Sequence, residues 1–215
     1  SGSPIAVSSQ AQRLLAMLAR IIARQIERER LLEQLQHENR VYSHYALSDP
    51  LTGIPNRRAL LQELARALAN CRRDGRRIHV AFIDLDGFKA INDVHGHDAG
   101  DRFLIQIAQR LKQGVRDGDY VARYGGDEFI VFGPAHAENL EASREAIQQR
   151  LESLTSGAFP LGDTKIRYLG ASVGVVTSDA DEHSCEALVG RADSAMYGVK
   201  QARQESARQG TSQQH

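Results

Sequence analysis

Three carboxylates stand where a sharply turning chain would bring them together. Asp84 closes the apolar run Val80-Ala-Phe-Ile-Asp84, and Asp127 and Glu128 follow the pair Gly125-Gly126. Asp86 lies two residues beyond Asp84 and shares its face if the strand persists. Converging carboxylates repel one another unless a cation joins them. Hard oxygen ligands suit Mg²⁺, which binds at about 2.0–2.1 Å and accepts a nucleotide's phosphate oxygens into its shell. Two such ions can activate an attacking hydroxyl and stabilise in-line displacement at phosphorus. The glycines remove side chains where a triphosphate must approach the backbone. Either feature alone is commonly no more than a turn; their combination points to nucleotide chemistry.

The elements that must position these groups follow from periodicity and punctuation. Residues 10–47 hold no Pro or Gly, and Leu14, Leu18, Ile21, Gln25, Arg28, Leu32, Leu35 and Asn39 alternate spacings of four and three. That seam predicts a helix, read as a parallel coiled coil between two subunits that carries a signal from upstream; the alternative is an amphipathic helix packed on its own domain. Ser48-Asp49-Pro50, with Gly53, Pro55 and Asn56, ends it. Beyond lie a helix over 57–73, a strand over 78–85, a short helix to Val94, and a longer one over 100–113. Strands over 120–124 and 128–132 flank the glycine hairpin. A helix over 140–154, one long strand over 165–176 and a helix over 185–203 complete the pattern. The fold class is therefore α/β (α+β), with a mixed, partly antiparallel sheet flanked by helices. The expected domains are a signalling helix over 1–47, a catalytic domain over 48–207 and a disordered tail over 208–215. The opening Ser-Gly-Ser reads as a cloning remnant, so that the chain begins inside a larger protein.

Composition narrows the class. Apolar residues make up 41% and charged residues 25% of the 215-residue chain, the profile of a globular protein with a real core. Formal net charge is zero, so no global field points to nucleic acid or an anionic membrane. Cys71 and Cys185 lack metal spacing and are too few for a disulfide framework, which fits a reducing compartment. No stretch approaches the roughly 20 apolar residues of a membrane span. Cytoplasmic localisation is the expectation.

Arg123-Tyr-Gly-Gly-Asp-Glu-Phe129 resembles the signature of the GGDEF diguanylate cyclase family. Asp49-Pro-Leu-Thr-Gly-Ile-Pro-Asn-Arg-Arg58 is similar to that family's opening segment. Asp84-Leu-Asp-Gly-Phe-Lys89, Asn92-Asp93, Gly96-His97 and Gly100-Asp101 match its nucleotide-binding stretch, and the resemblance covers about residues 48–203. It implies a nucleotidyl-cyclase or polymerase-palm-like fold and the condensation of two GTP into cyclic di-GMP, with two pyrophosphates leaving.

By resemblance, Asp84, Asp127 and the Leu85 carbonyl hold two Mg²⁺ ions, with Mn²⁺ as a substitute. Asp127 and Glu128 are the catalytic acidic pair, Glu128 assisting either metal binding or deprotonation of the ribose 3′-hydroxyl. The turn at Phe88 and Lys89 presents N–H groups to phosphate. Asn92 and Asp101 match the guanine-binding pair: a carboxylate accepts from N1–H and N2–H₂ while an amide meets O6. His97 stands between ligand contact and capping, and Gly125 and Gly126 admit the triphosphate. Lys200 matches a phosphate-neutralising lysine; the family's arginine four residues later is Gln204 here, with Arg203 beside it as a shifted substitute. Arg116-Asp-Gly-Asp119 matches the family's inhibitory product site. The implied partners are GTP, cyclic di-GMP, a second copy joined through the N-terminal helix, and an upstream sensor. A non-catalytic module that only binds GTP or cyclic di-GMP is the main rival. Another palm-like nucleotidyl enzyme and a coiled-coil scaffold come behind it.

Overall fold

The computed structural model describes residues 16–18, 20–31, 47–135, 139–162 and 164–212. The chain divides into a unit ending at Ala46 and a unit beginning at Leu47. In the first, residues 16–18 and 20–31 are helical (α1) and exposed throughout. Leu18, Ile21, Gln25 and Arg28 of the expected seam lie on this helix; Leu14, Leu32, Leu35 and Asn39 fall outside the described residues.

The second unit begins with a loop that ends in a capped helix. Asn56 accepts a hydrogen bond from the Ala59 N–H at 3.1 Å and starts α2 (Arg57–Asp74). Gly75, at φ 65°, closes it in the left-handed conformation. Ala59, Leu60, Leu64 and Leu68 recur at helical spacing and are buried. The chain continues through β1 (Arg77–Asp84), α3 (Phe88–His95), α4 (His97–Gly114), β2 (Tyr120–Gly125) and β3 (Glu128–Ala135). It ends with α5 (Leu140–Thr155), β4 (Gly157–Pro160), β5 (Lys165–Tyr168), β6 (Ser172–Thr177) and α6 (Cys185–Ser212).

The main sheet has the order β2-β3-β1-β6, and each neighbouring pair is antiparallel. Strand β1 is buried from Ile78 to Ile83 because both its faces are covered. Alternation assigns Ala81 and Ile83 to one face, against Phe103, Ile107 and Leu111 of α4 and Leu151 of α5. Val80 and Phe82 face the other way, against Leu60 and Leu64 of α2 and Leu188, Ala192 and Met196 of α6. Each fully buried leucine of this kind contributes about 1.5–3 kcal/mol of transfer free energy. Gly174 on β6 is required by close approach: a Cβ there would lie 2.0 Å from the Met196 nitrogen and 2.6 Å from the Ala192 carbonyl oxygen.

Two boundaries differ from expectation. The single strand over 165–176 is two strands: Gly170, at φ 117°, breaks the run. Residues 165–168 pair with β4 in a separate two-stranded sheet, while 172–177 lie beside β1. Strand β4 was not anticipated. Helix α6 also runs on to Ser212, through residues 208–212 that the sequence reading gave to a tail. Its Ala, Gln and Arg content supports helix, and no proline stops it.

Candidate active site

The sheet brings the acidic residues to one end. Asp84, the last residue of β1, stands opposite Glu128 of β3 on one side and Ser172 of β6 on the other. The turn Gly125-Gly126-Asp127 joins β2 to β3, with Gly126 at φ 49°. The Leu85 N–H donates to the Asp127 carbonyl oxygen at 3.3 Å, so the turn is tied to the chain leaving β1. The strand does not continue to Asp86. That carboxylate turns aside and accepts from the Ser172 hydroxyl at 2.8 and 3.0 Å.

Burial raises the Asp127 carboxyl above its ordinary value and the charge of Asp84 adds to the shift, against its own backbone N–H, Lys200 and Arg123. Glu128 is raised in the same way, by burial first and then by Asp127, Asp84 and Asp193. The Lys200 ammonium donates to Asp84 Oδ1 at 2.7 Å. Burial would lower Lys200, but this bond and the surrounding carboxylates outweigh it and hold the ammonium above its usual range.

Among the described residues, no three His, Cys, Asp or Glu side chains gather as a complete cation site. The chemistry nonetheless fits Mg²⁺. Asp127 and Glu128 are raised by burial first and then by the negative charge of Asp84, charge that a hard cation would relieve. Two aspartates and the Leu85 carbonyl supply only part of an octahedral shell, and Mg²⁺ fills the remainder with water and phosphate.

The glycine turn is clamped by an arginine to which the sequence reading assigned no role. Arg123 Nη1 donates to Asp49 Oδ1 at 2.9 Å, while its Nε and Nη2 donate to the Gly126 carbonyl at 3.0 and 2.7 Å. Asp49 also accepts from the Thr52 N–H at 2.8 Å and the Thr52 hydroxyl at 2.6 Å. Burial alone would raise Asp49, but the bonds from Thr52 and Arg123 prevail and hold it below its ordinary value. Both clamp residues begin matched segments, Asp49-to-Arg58 and Arg123-to-Phe129, which was the available signal.

Helices α3 and α4 carry the expected guanine pair. Gly96, at φ 84°, turns the chain between them. Asn92 lies so close to α4 that a Cβ at Gly100 would fall 1.9 Å from its Oδ1. Asp101 is the next residue on α4 and is exposed, as is His97 at the helix start. Phe88 is an anchor: its ring stacks at 6.3 Å on Phe103, and its N–H is engaged by the Leu85 carbonyl at 3.2 Å. Lys89 is exposed.

Arg203, expected at phosphate, is engaged by groups of the protein itself. Its Nη1 donates to Asp86 Oδ2 at 3.1 Å and to the carbonyls of Ala171 and Gly170 at 2.7 and 3.3 Å. Asp86, Lys200, Arg203 and Gln204 line a cavity of about 640 Å³ that also borders residues 167–170. Arg116 and Asp119, just ahead of β2, form their own turn. The Asp119 carboxylate accepts from the Arg116 N–H at 2.9 Å and closes on Gly133, where a Cβ would lie 1.9 Å from its Oδ1. Both line a second cavity of about 230 Å³, with Arg150 of α5 among its walls.

Comparison with known proteins agrees with this geometry. The family model described as "Diguanylate cyclase, GGDEF domain" matches residues 46–206. Diguanylate cyclase DgcP of Escherichia coli K12 is 38% identical over 199 residues, covering 93% of this chain and 58% of the relative. The chain thus spans under two thirds of that relative, and smaller shares, 24% and 23%, of two from Pseudomonas aeruginosa. Among solved structures, a sensory box/GGDEF family protein from Caulobacter crescentus superposes with a TM-score of 0.68 at 37% identity, covering 73% of this chain and 99% of that one. The coiled coil and GGDEF domain of DgcB from Caulobacter crescentus, in complex with c-di-GMP, gives a TM-score of 0.66 at 30% identity, with 87% and 95% covered. Among the described residues, no helix is long and apolar enough to cross a membrane.

Proposed function

We propose, for a chain that belongs to the diguanylate cyclase GGDEF domain family, that it condenses two GTP molecules into cyclic di-GMP and releases two pyrophosphates. The observation that carries this reading is the meeting of Asp84, Asp127 and Glu128 at one sheet end, with Lys200 bonded to Asp84. Asp84, Asp127 and the Leu85 carbonyl would hold Mg²⁺, two ions per half-site. When bound, these ions neutralise phosphate charge and lower the pKa of the attacking hydroxyl.

The chain's own groups supply positioning and charge. Asn92 and Asp101, on adjoining helices, would take the guanine edge. Lys200 would offset negative charge at the phosphates. The raised carboxyl of Glu128 makes it a stronger proton acceptor than an ordinary glutamate, which supports a role in taking the 3′-hydroxyl proton. The oxygen would then attack the α-phosphorus of the opposing GTP as the bond to pyrophosphate breaks, and the same displacement by the other nucleotide's 3′-hydroxyl would release the second pyrophosphate and close the ring. Each subunit holds one GTP, so two copies must face each other. The exposed apolar residues of α1, among them Leu18 and Ile21, support pairing through that helix under an upstream sensor. Arg116 and Asp119 would bind product and restrain turnover. A cytoplasmic location, where GTP is supplied, fits this reading.

The test is incubation with GTP and Mg²⁺ and chromatography of the products, beside Asp127→Ala. Cyclic di-GMP from the parent alone supports the assignment. Guanine-nucleotide binding with no product from a concentrated, dimeric parent replaces it with a regulatory binding module.

A further inference from the structure

Asp86 follows the last residue of β1 by two positions, and the groups that hold its carboxylate come from two other elements. The Ser172 hydroxyl of β6 lies 2.8 and 3.0 Å from its oxygens, and Arg203 Nη1 of α6 lies 3.1 Å from Oδ2. Ser172 is fully buried, and the Asp86 and Arg203 side chains are largely covered, at 30% and 37% exposed.

Arg203 is committed where it stands. The same Nη1 donates to the carbonyls of Ala171 and Gly170 at 2.7 and 3.3 Å, and both residues are buried. The chain that carries these carbonyls is fixed: the Ala171 N–H is held by the Thr155 hydroxyl at 3.3 Å, and Ser172 pairs with Asp84 across the sheet. Drawing the guanidinium off to a phosphate would take a charge partner from Asp86 and a donor from two buried carbonyls.

The network bears on one peptide unit. The Leu85 carbonyl is bonded to the Asp86 nitrogen, so its direction depends on how residues 85 and 86 are held. Leu85 is 1% exposed, with its side chain in the core, and its N–H donates to the Asp127 carbonyl at 3.3 Å. Beyond the peptide, Asp86 is held by Ser172 and Arg203. The Phe88 N–H occupies one lone pair of the Leu85 oxygen at 3.2 Å, which leaves the second for a cation.

We propose that the Arg203–Asp86–Ser172 network positions the Leu85 carbonyl as a metal ligand, so that Arg203 serves the cation rather than the phosphate. This rests on the reading that Asp84, Asp127 and the Leu85 carbonyl hold Mg²⁺. That ion demands near-ideal octahedral geometry, so a carbonyl free to tilt is a poorer ligand. Arg203, Asp86 and Ser172 are positioning residues: they act through the peptide that they steady.

The experiment measures Mn²⁺ binding in the absence of nucleotide, by the paramagnetic signal of the free ion. The proteins are the parent, Arg203→Gln, Asp86→Asn and Arg203→Lys, with Asp127→Ala marking the sites in question. Arg203→Gln and Asp86→Asn are each expected to lower the Asp127-dependent affinity about tenfold. Arg203→Lys keeps a cation beside Asp86 and should recover part of that loss. GTP binding in EDTA should be unchanged. Turnover lost at limiting Mg²⁺ should return as Mg²⁺ is raised, which a loosened fold would not do. Ser172→Ala removes a single oxygen and takes the place of any variant that does not fold. Unchanged Mn²⁺ affinity in the folded variants, or no Asp127-dependent Mn²⁺ binding by the parent, overturns the inference. Weaker GTP binding in EDTA by Arg203→Gln alone, with Mn²⁺ affinity intact, returns Arg203 to the phosphate. Cyclic di-GMP from the parent in either case leaves the cyclase reading standing. Its absence, with the Mn²⁺ result as expected, removes that reading and keeps the network.

Discussion

Lys200 Nζ lies 2.7 Å from Asp84 Oδ1, and this bond joins the C-terminal helix to the last residue of the central strand. The lysine therefore neutralises part of the charge that a cation would otherwise meet. On the proposed reading phosphate and carboxylate compete for the same ammonium, so loading the site would rearrange this pair.

Lys200→Met is expected to leave Asp84 and Asp127 less compensated. Saturating Mg²⁺ should then raise the melting temperature more in the variant than in the parent, while GTP turnover falls about 100-fold or more. Thermal melts with and without Mg²⁺, and a turnover assay, check both. Equal Mg²⁺ stabilisation in the two proteins would contradict it.

The raised carboxyls of Asp127 and Glu128 set a pH dependence. Their folded values lie above the unfolded ones, about 3.9 and 4.3. The fold therefore favours the protonated forms, and without cation their contribution to stability falls as pH rises through and just above that range. Mg²⁺ binding should strengthen over the same interval as protons leave. Asp49, held low, acts oppositely: its contribution is present above the unfolded value and is lost as pH falls through the folded one. Melting curves against pH for the parent and Asp127→Asn separate these, the variant losing the decline that the parent shows on raising pH.

Gly100→Ala places a methyl group 1.9 Å from the present position of Asn92 Oδ1. Asn92 must move, so KM for GTP should rise about tenfold and preference for GTP over ATP should weaken. Stability should fall by roughly 1–3 kcal/mol as the helices part. Kinetics with both nucleotides, with denaturant unfolding, distinguish displacement of Asn92 from general loosening.

Arg116→Ala should weaken inhibition by added cyclic di-GMP more than tenfold, because a guanidinium that grips a guanine edge in two places has no substitute in alanine. Progress curves with added product give the answer. Inhibition identical to the parent's would remove Arg116 and Asp119 from that role.

The glycine hairpin was legible because two glycines followed by two acids, between β-branched and aromatic runs, leave few alternatives to a tight turn. The neighbouring sheet was not. Strand β4 has four residues, beginning in Gly157 and ending in Pro160, too short to display alternation. Its carbonyls are instead met from α4, where Arg110 donates to Ala158 and Gln106 to Pro160, the Arg110 guanidinium lying 3.7 Å over the Phe159 ring. The partner of Arg203 was hidden for another reason: Asp86 stands 117 residues away, and only the folded sheet edge decides which carboxylate an arginine on α6 meets.

The Asp49–Arg123–Gly126 clamp has a mechanical consequence. The chain enters the domain at Leu47, whose carbonyl is held by the Asn56 N–H at 2.9 Å, and Asp49 follows two residues later. That entrance is tied to the turn bearing Asp127 through the Arg123 guanidinium, and to β2 itself through the Arg123 N–H, which donates to the Pro55 carbonyl at 2.9 Å. A pull on the chain at Leu47 would therefore be felt first at the turn that carries Asp127 and at the strand that leads into it.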